Sequence, residues 1–228
     1  MTYIYSIYLY LKASIFFLIF SPLMILSAIF MPSYLYPFAR FISKGIFWTF
    51  NIERIIKGQF PKDGPYILMH NHSSFLDLFL LPTIIEGKYT GIVAQKNFKI
   101  PLVGSLLKKL NAIPIQRSNL NAAKHSIQLA EDLIKKGFHI AIFPEGTRTI
   151  TGKISKFKKG GFHMAVNTKT KILPIIVEGL FSIKPKNRWT IIPQPVKLII
   201  KDPIDVLNKS VDDVLEEVES IYLNHELK

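Results

Sequence analysis

The segment NHSSFLD, at residues 71–77, contains a histidine and a carboxylate that could act together as a general base. His72 and Asp77 lie five positions apart, and one continuous helix would rotate their side chains about 140° away from each other. If His72 lies in a loop and either following serine caps the helix of Asp77, the carboxylate can reach back to the imidazole. A carboxylate on one ring nitrogen sets the tautomer and raises the basicity of the other nitrogen. Such a pair would accept a proton from an alcohol, although the spacing by itself favours a structural histidine.

A second segment, FPEGTR at residues 143–148, offers groups that suit a phosphorylated ligand. Gly146 would let the backbone approach a ligand closely, and Arg148 carries a planar guanidinium that matches phosphate. Thr147 adds a hydroxyl, while Glu145 could accept a hydrogen bond from a ligand hydroxyl or hold Arg148. Without further context, a basic surface turn explains this segment equally well.

The third candidate, Arg117, directly follows a β-prone run at residues 112–116. On its own it carries little information, because most arginines are solvated. His72 and the segment 143–148 also follow β-prone runs, however, and ligand sites form beyond the carboxyl ends of parallel strands. Because all three candidates follow β-prone runs, the sequence predicts one cleft in which a base, two guanidinium groups and a carboxylate meet.

The elements that would position these residues alternate between strand and helix. Short β-prone runs bounded by Gly, Pro or polar residues occupy residues 66–70, 91–95, 112–116, 139–143, 172–177 and 196–201. Apolar residues at helical spacing predict a helix over residues 121–136 and an amphipathic C-terminal helix over residues 210–224. This alternation predicts an α/β fold with a mostly parallel central sheet flanked by helices.

An uncharged stretch of 27 residues, at positions 13–39, predicts an N-terminal hydrophobic segment that anchors the chain in a membrane. About 20 apolar residues are enough to cross a bilayer. Arg40 and Lys44 follow the stretch and only Lys12 precedes it, which places residues 40 onward in the cytoplasm. A cleaved signal peptide is the alternative, but the stretch exceeds the usual apolar region of such peptides.

Prolines leave the topology of this anchor open. Pro22, Pro32 and Pro37 could kink one spanning helix, or they could divide the segment into a helical hairpin that dips into one leaflet. The sequence does not choose between these two arrangements.

Charge and cysteine content exclude several classes of function. Residues 1–201 carry 27 Lys and Arg against 8 Asp and Glu, a net charge of +19, so a phosphate-bearing partner is expected. The chain has no cysteine, which excludes disulfides, thiolate metal sites and a cysteine nucleophile. No constellation of three metal ligands has familiar spacing, so no metal is expected. Nucleic acid is not an expected partner, because no nucleic-acid-binding module is recognisable and the apolar segment argues against one.

In order and spacing, these segments resemble the blocks that mark the glycerolipid acyltransferase family, most closely the 1-acylglycerol-3-phosphate acyltransferases. His72 and Asp77 match the family's His-x4-Asp block, and residues 143–148 match its Phe-Pro-Glu-Gly-Thr-Arg block. Arg117 would end the second block, in which Asn111 and Gln116 replace a frequent glycine and a frequent acidic residue. A Val-Pro-Val-type fourth block is similar to residues 173–175, with Gly179 beyond.

The resemblance implies transfer of a fatty acyl group from acyl-CoA or acyl carrier protein to the 2-hydroxyl of lysophosphatidic acid. His72, steered by Asp77, would remove the hydroxyl proton. Arg117 and Arg148 would hold the phosphate, and Glu145, Gly146 and Thr147 would help to bind the acceptor. No cofactor would be needed.

The implied organisation is a membrane anchor at residues 1–50 and an acyltransferase domain at residues 51–228. The domain would lie on the cytoplasmic side of a bacterial inner membrane. Two alternatives remain at this stage: the same chemistry on another lysolipid, or a basic membrane protein that binds lipid without catalysis.

Overall fold

A central β-sheet organises the chain, of which the computed structural model describes residues 2–101, 103–116 and 120–226. Within these residues the strands are β1 (Arg54–Lys57), β2 (Ile67–His70), β3 (Lys88–Ala94), β4 (Ile113–Ile115), β5 (Phe138–Ile142), β6 (Ile172–Glu178) and β7 (Val196–Ile200). They form one sheet in the order β1-β7-β6-β2-β5-β3-β4. Neighbouring strands run parallel except for β6 and β7, which are antiparallel. The predicted fold, a mostly parallel sheet flanked by helices, is confirmed.

The first strand, β1, was not predicted from the sequence. It has only four residues, RIIK, and its two apolar residues are too few for a periodic pattern. It pairs with β7, where Arg54 lies opposite Val196, and β7 is far along the chain from β1. The six predicted β-prone runs all overlap observed strands.

Eight α-helices accompany the sheet in the described part of the chain: α1 (Thr2–Phe30), α2 (Leu35–Thr49), α3 (Asp77–Leu80), α4 (Val103–Lys109), α5 (Leu120–Lys135), α6 (Gly160–Thr168), α7 (Leu180–Ile183) and α8 (Val211–Glu226). The two helices predicted from periodicity are α5 and α8. Ser210 caps α8, because its Oγ accepts the N–H of Asp213 at 3.1 Å while the Asp213 carboxylate accepts the N–H of Ser210 at 3.0 Å.

The N-terminal segment forms a helical hairpin. Helices α1 and α2 are joined by a short 3-10 turn at Pro32–Tyr34, where the proline begins the turn. They pack closely: a Cβ at position 45 would overlap the Phe16 ring, so a larger residue than Gly45 would force that ring to move. Of the two arrangements left open by the sequence, the structure has two helices rather than one kinked helix.

Most of the apolar surface of α1 is not used for packing. Residues Thr2–Ser27 form a helix that is long and apolar enough to cross a bilayer, with a mean hydropathy of 2.0, and only 17% of the most apolar window is buried. Leu18 and Ile4, for example, are 70% and 77% exposed. A contiguous exposed apolar surface of this kind is consistent with membrane association.

Both faces of the sheet are buried, which explains the continuous apolar runs of the central strands. In β2, Leu68 points to the face covered by the hairpin, whereas Ile67 and Met69 point to the opposite face, where residues of α6 and α8 complete the core. The carboxyl end of β2 is therefore held from both sides, and the predicted catalytic loop begins there.

Candidate active site

The loop after β2 brings His72 and Asp77 together. His72 Nδ1 lies 2.7 Å from Asp77 Oδ2, with His72 in the loop and Asp77 as the first residue of α3. Leu76, directly before α3, makes no side-chain cap, but the Ser74 Oγ accepts the Leu76 N–H at 3.3 Å, so a serine side chain does bind at the start of this helical segment, as the sequence predicted. In return, the Asp77 carboxylate accepts the backbone N–H groups of Ser73 and Ser74, each at 2.8 Å. The carboxylate thus folds the loop around itself and presents the imidazole.

The environment of this pair suits a general base. Asp77 is 1% exposed, and its Oδ2 accepts from three N–H donors, which hold it in one orientation. The His72 ring stacks on Phe143 at a centroid distance of 3.6 Å, and 15% of the His72 side chain remains exposed. With Nδ1 bound to Asp77, Nε2 is the nitrogen that is left to take up a proton. No other described residue forms a hydrogen bond with that Nε2.

Glu145 is bound to two loops rather than to a free cleft. Its carboxylate is 2% exposed; Oε1 accepts the His72 N–H at 2.7 Å and Oε2 accepts the Ser155 N–H at 2.8 Å. Burial raises the pKa of this carboxyl above its ordinary value, while the two backbone donors act against that shift. The Thr149 N–H also donates to the His72 carbonyl at 2.9 Å. Both backbone polar groups of His72 are therefore held by the loop that follows β5.

The rest of the FPEGTR segment forms a tight turn beside His72. Gly146 has a φ of +74°, which favours glycine, and its N–H donates to the Phe143 carbonyl at 3.0 Å. Thr147 is exposed and Arg148 is half-buried. The Arg148 guanidinium forms no hydrogen bond or ion pair with the residues that the structure describes, including Glu145. Arg117, the other predicted phosphate ligand, lies outside the described residues.

Asn71 is a site residue that sequence reasoning missed. Its side-chain amide donates to the Val177 carbonyl and accepts the Val177 N–H, both at 2.8 Å. The amide thus continues the β2–β6 ladder by one step after the main chain has left the sheet at His70. An asparagine between a predicted strand and a predicted catalytic histidine was the available signal, because its side chain can replace a backbone partner.

Metal chemistry has no support in the described residues, since no cluster of three or more His, Cys, Asp or Glu side chains could hold an ion. A cavity of about 640 Å³ lies against β4 and α5, and its lining does not include His72. We place the candidate site at the His72 loop because the buried His72–Asp77 pair is there, together with Arg148, which has no partner among the described residues.

Comparison with known proteins gives a consistent result. An acyltransferase family model matches residues 51–178. The 1-acyl-sn-glycerol-3-phosphate acyltransferase of Cocos nucifera is 31% identical over 184 residues, which cover 79% of this chain and 60% of that protein. A chloroplastic 1-acyl-sn-glycerol-3-phosphate acyltransferase of Arabidopsis thaliana is 31% identical over 69% of this chain and 44% of its own length. The chain therefore spans about half the length of these relatives.

One solved structure matches almost the whole chain. The crystal structure of the 1-acyl-sn-glycerophosphate acyltransferase PlsC from Thermotoga maritima superposes with a TM-score of 0.85 at 25% identity. The match covers 97% of this chain and 95% of that one, so the N-terminal hairpin is included in the similarity.

Proposed function

The chain belongs to the acyltransferase family, and we propose that it transfers a fatty acyl group from a thioester to the 2-hydroxyl of 1-acylglycerol-3-phosphate. The product would be phosphatidic acid, for phospholipid synthesis. The observation that carries this proposal is the 2.7 Å contact between His72 and the buried Asp77, with Nε2 available to a substrate. The names of the full-length relatives support the choice of acceptor.

The proposed reaction is direct acyl transfer. His72 Nε2 takes the proton from the acceptor hydroxyl as its oxygen attacks the thioester carbonyl. The new C–O bond forms, the C–S bond breaks, and the imidazolium returns the proton to the departing thiolate. Asp77 stabilises the imidazolium without itself taking the proton. No covalent enzyme intermediate and no cofactor are required.

The acceptor phosphate would be held by Arg148 together with Arg117, and Gly146 and Thr147 would complete the turn beside it. Glu145 serves this site indirectly, because its carboxylate joins the backbone of His72 to that of Ser155. The residues proposed to bind the acceptor and the proposed base, His72, therefore lie on two loops that are joined by hydrogen bonds.

For the donor we propose acyl-CoA or acyl carrier protein, and for the location a bacterial inner membrane with the active site on the cytoplasmic side. Residues 1–50 act as the anchor and residues 51–228 as the acyltransferase domain. The exposed apolar surface of α1 supports the anchor, and Arg40 and Lys44 directly after the uncharged stretch support the orientation.

The test is an assay of the full chain, purified in detergent, with a labelled acyl thioester and a panel of lysolipids. We expect phosphatidic acid as the main product with lysophosphatidic acid as acceptor. A preference for another lysolipid would replace the proposed acceptor and keep the chemistry.

His72→Ala tests the mechanism in the same assay. A positioned general base contributes about 10²–10⁴ in rate, so we expect a loss of at least about 100-fold in kcat with the fold retained. His163→Ala is the matched control, because His163 is exposed on α6 and should keep normal turnover. A folded His72→Ala protein with near-normal rates would falsify the mechanism.

A further inference from the structure

Lys184 is joined by one hydrogen bond to Ser74 in the loop that follows β2, although the two residues are 110 positions apart in sequence. It directly follows α7, and its backbone carbonyl accepts the Ser74 hydroxyl at 2.7 Å. The Ser74 N–H in turn donates to Asp77 Oδ2 at 2.8 Å. The start of the Lys184 side chain is thereby fixed relative to the His72–Asp77 pair.

The Lys184 ammonium group is turned toward this loop, and no carboxylate of the described residues forms an ion pair with it. Its Nζ lies 5.9 Å from the centroid of the Phe75 ring, between His72 and Asp77 in sequence, and it donates to the carbonyls of Pro185 and Arg188. Carbonyl groups are neutral acceptors, so the positive charge is not cancelled. An ammonium group has three donors, and two carbonyls leave one of them for a ligand.

Arg148 approaches the same loop from the turn that follows β5. The next residue, Thr149, donates its N–H to the His72 carbonyl at 2.9 Å, which ties the arginine to the other end of the loop. Burial lowers the pKa of Lys184, and the nearby charges of Arg148 and Arg188 lower it further, so these cations are close enough to repel one another.

The three cations differ in what they are bound to. The Arg188 guanidinium is already hydrogen-bonded near the end of α7, where it donates to the carbonyls of Ser182, Ile183 and Thr190. Neither Lys184 nor Arg148 forms an ion pair with a carboxylate among the described residues. Two unneutralised cations held near one another repel, and an anion that binds between them removes this repulsion.

We propose that Lys184 is an additional cationic ligand of the acceptor's phosphate, beside Arg148, and that it selects a phosphomonoester headgroup. This inference rests on the function proposed above. A phosphomonoester carries about −1.5 to −2 charges at neutral pH, whereas a phosphodiester carries one. An additional cation therefore adds most to the binding of lysophosphatidic acid and little to that of a lysolipid with a diester headgroup.

Lys184→Gln tests this selection, because it removes the charge and keeps the length and a donor. A charge-assisted hydrogen bond is worth about 10- to 100-fold in affinity, so we expect the KM for lysophosphatidic acid to rise by about tenfold or more. The rate with lysophosphatidylglycerol should change by less than about twofold. Lys186→Gln, an exposed lysine two positions further on, is the matched control and should behave like the wild type.

Two further measurements distinguish a phosphate ligand from a residue that only supports its own loop. Lys184→Arg should recover most of the lost affinity, and inorganic phosphate should inhibit the wild type more strongly than Lys184→Gln. Equal losses on all acceptors with a lowered Tm would assign Lys184 to loop support and overturn the inference. An unchanged KM for lysophosphatidic acid in an active Lys184→Gln enzyme would also overturn it. A wild type that does not acylate lysophosphatidic acid would instead contradict the proposed function.

Discussion

Two buried carboxylates, Asp77 on α3 and Glu145 in the loop after β5, hold His72, the proposed general base. Asp77 binds the ring through Nδ1 and the backbone through Ser73 and Ser74, and Glu145 binds the N–H of His72 itself. Breaking either set would leave buried N–H donors without acceptors, which costs about 1–3 kcal/mol for each group. Because the imidazole is fixed at both backbone and ring, only its outer nitrogen is left to approach a substrate.

Arg148 is the residue with the clearest test of substrate binding. Its guanidinium lacks an anionic partner in the described part of the chain, so its charge would be available to the phosphate of the proposed acceptor. We expect Arg148→Gln to raise the KM for lysophosphatidic acid by about 10- to 100-fold, with a smaller effect on kcat. Steady-state kinetics over a range of lysophosphatidic acid concentrations would measure this.

The control for Arg148 is Lys153→Gln, because Lys153 is an exposed lysine in the same loop region that forms no ion pair with any described residue. It removes the same charge at a distance from the turn, so it should change the KM by less than about twofold. An unchanged apparent affinity in Arg148→Gln would remove that arginine from the phosphate site.

At the level of elements, the C-terminal helix supports the site from behind the sheet. The buried hydroxyl of Tyr222, on α8, donates to the Met69 carbonyl at 2.6 Å and accepts the Ile175 N–H at 3.3 Å. Glu219 on the same helix accepts the Phe157 N–H at 2.9 Å. Helix α8 thus ties together β2, β6 and the segment that follows the FPEGTR turn, although it lies beyond the residues matched by the family model.

The hairpin of α1 and α2 differs from α8, because it exposes apolar surface outside the folded domain. Ile15 and Leu18 on α1 are 50% and 70% exposed. If this surface lies in lipid, a lysine at such a position costs up to about 2.5–3.5 kcal/mol. We therefore expect Ile15→Lys combined with Leu18→Lys to reduce binding to lipid vesicles by at least about 100-fold, as measured by co-sedimentation.

Leu207→Lys is the matched control for the hairpin, because Leu207 is 52% exposed but lies in a loop outside it. Its vesicle binding should equal that of the wild type. Full retention of the α1 double variant on vesicles would show that membrane binding does not depend on this surface.

For the whole molecule, buried histidines predict that stability falls in mild acid. Burial lowers the pKa of His70 from 6.5 to about 4, with Asp77 opposing the shift and His72 adding to it, and burial also lowers the pKa of His139. In mild acid, the unfolded chain therefore binds protons at His70 and His139 that the folded chain does not bind. The stability from His70 is present above pH 6.5 and is lost as the pH falls toward about 4.

Chemical denaturation in detergent at pH 7 and pH 5 would measure this effect. We expect the free energy of unfolding to fall by about 2 kcal/mol for His70 alone over this interval. A His70→Gln variant, which does not titrate, should show a correspondingly smaller difference between the two pH values. An equal difference in both proteins would exclude His70 as the source of acid sensitivity.

The sequence by itself determined what depends on local pattern. Alternating strand and helix predicted the α/β fold, the β-prone runs predicted six of the seven strands, and the spacing of His72 and Asp77 allowed their contact across five residues. The uncharged N-terminal stretch predicted an apolar anchor. These features depend on neighbouring residues, whose separation in space is limited by their separation along the chain.

Only the tertiary structure decided what depends on the order of strands. β2 lies between β5 and β6, which brings Glu145 to the backbone of His72, Val177 to Asn71, and Lys184 to Ser74, across 73, 106 and 110 residues. It also decided that α1 ends just before Pro32 and turns back into α2, whereas Pro22 and Pro37 lie inside the two helices. No local pattern encodes these contacts, because they arise from packing each strand and helix against partners that the chain reaches much later.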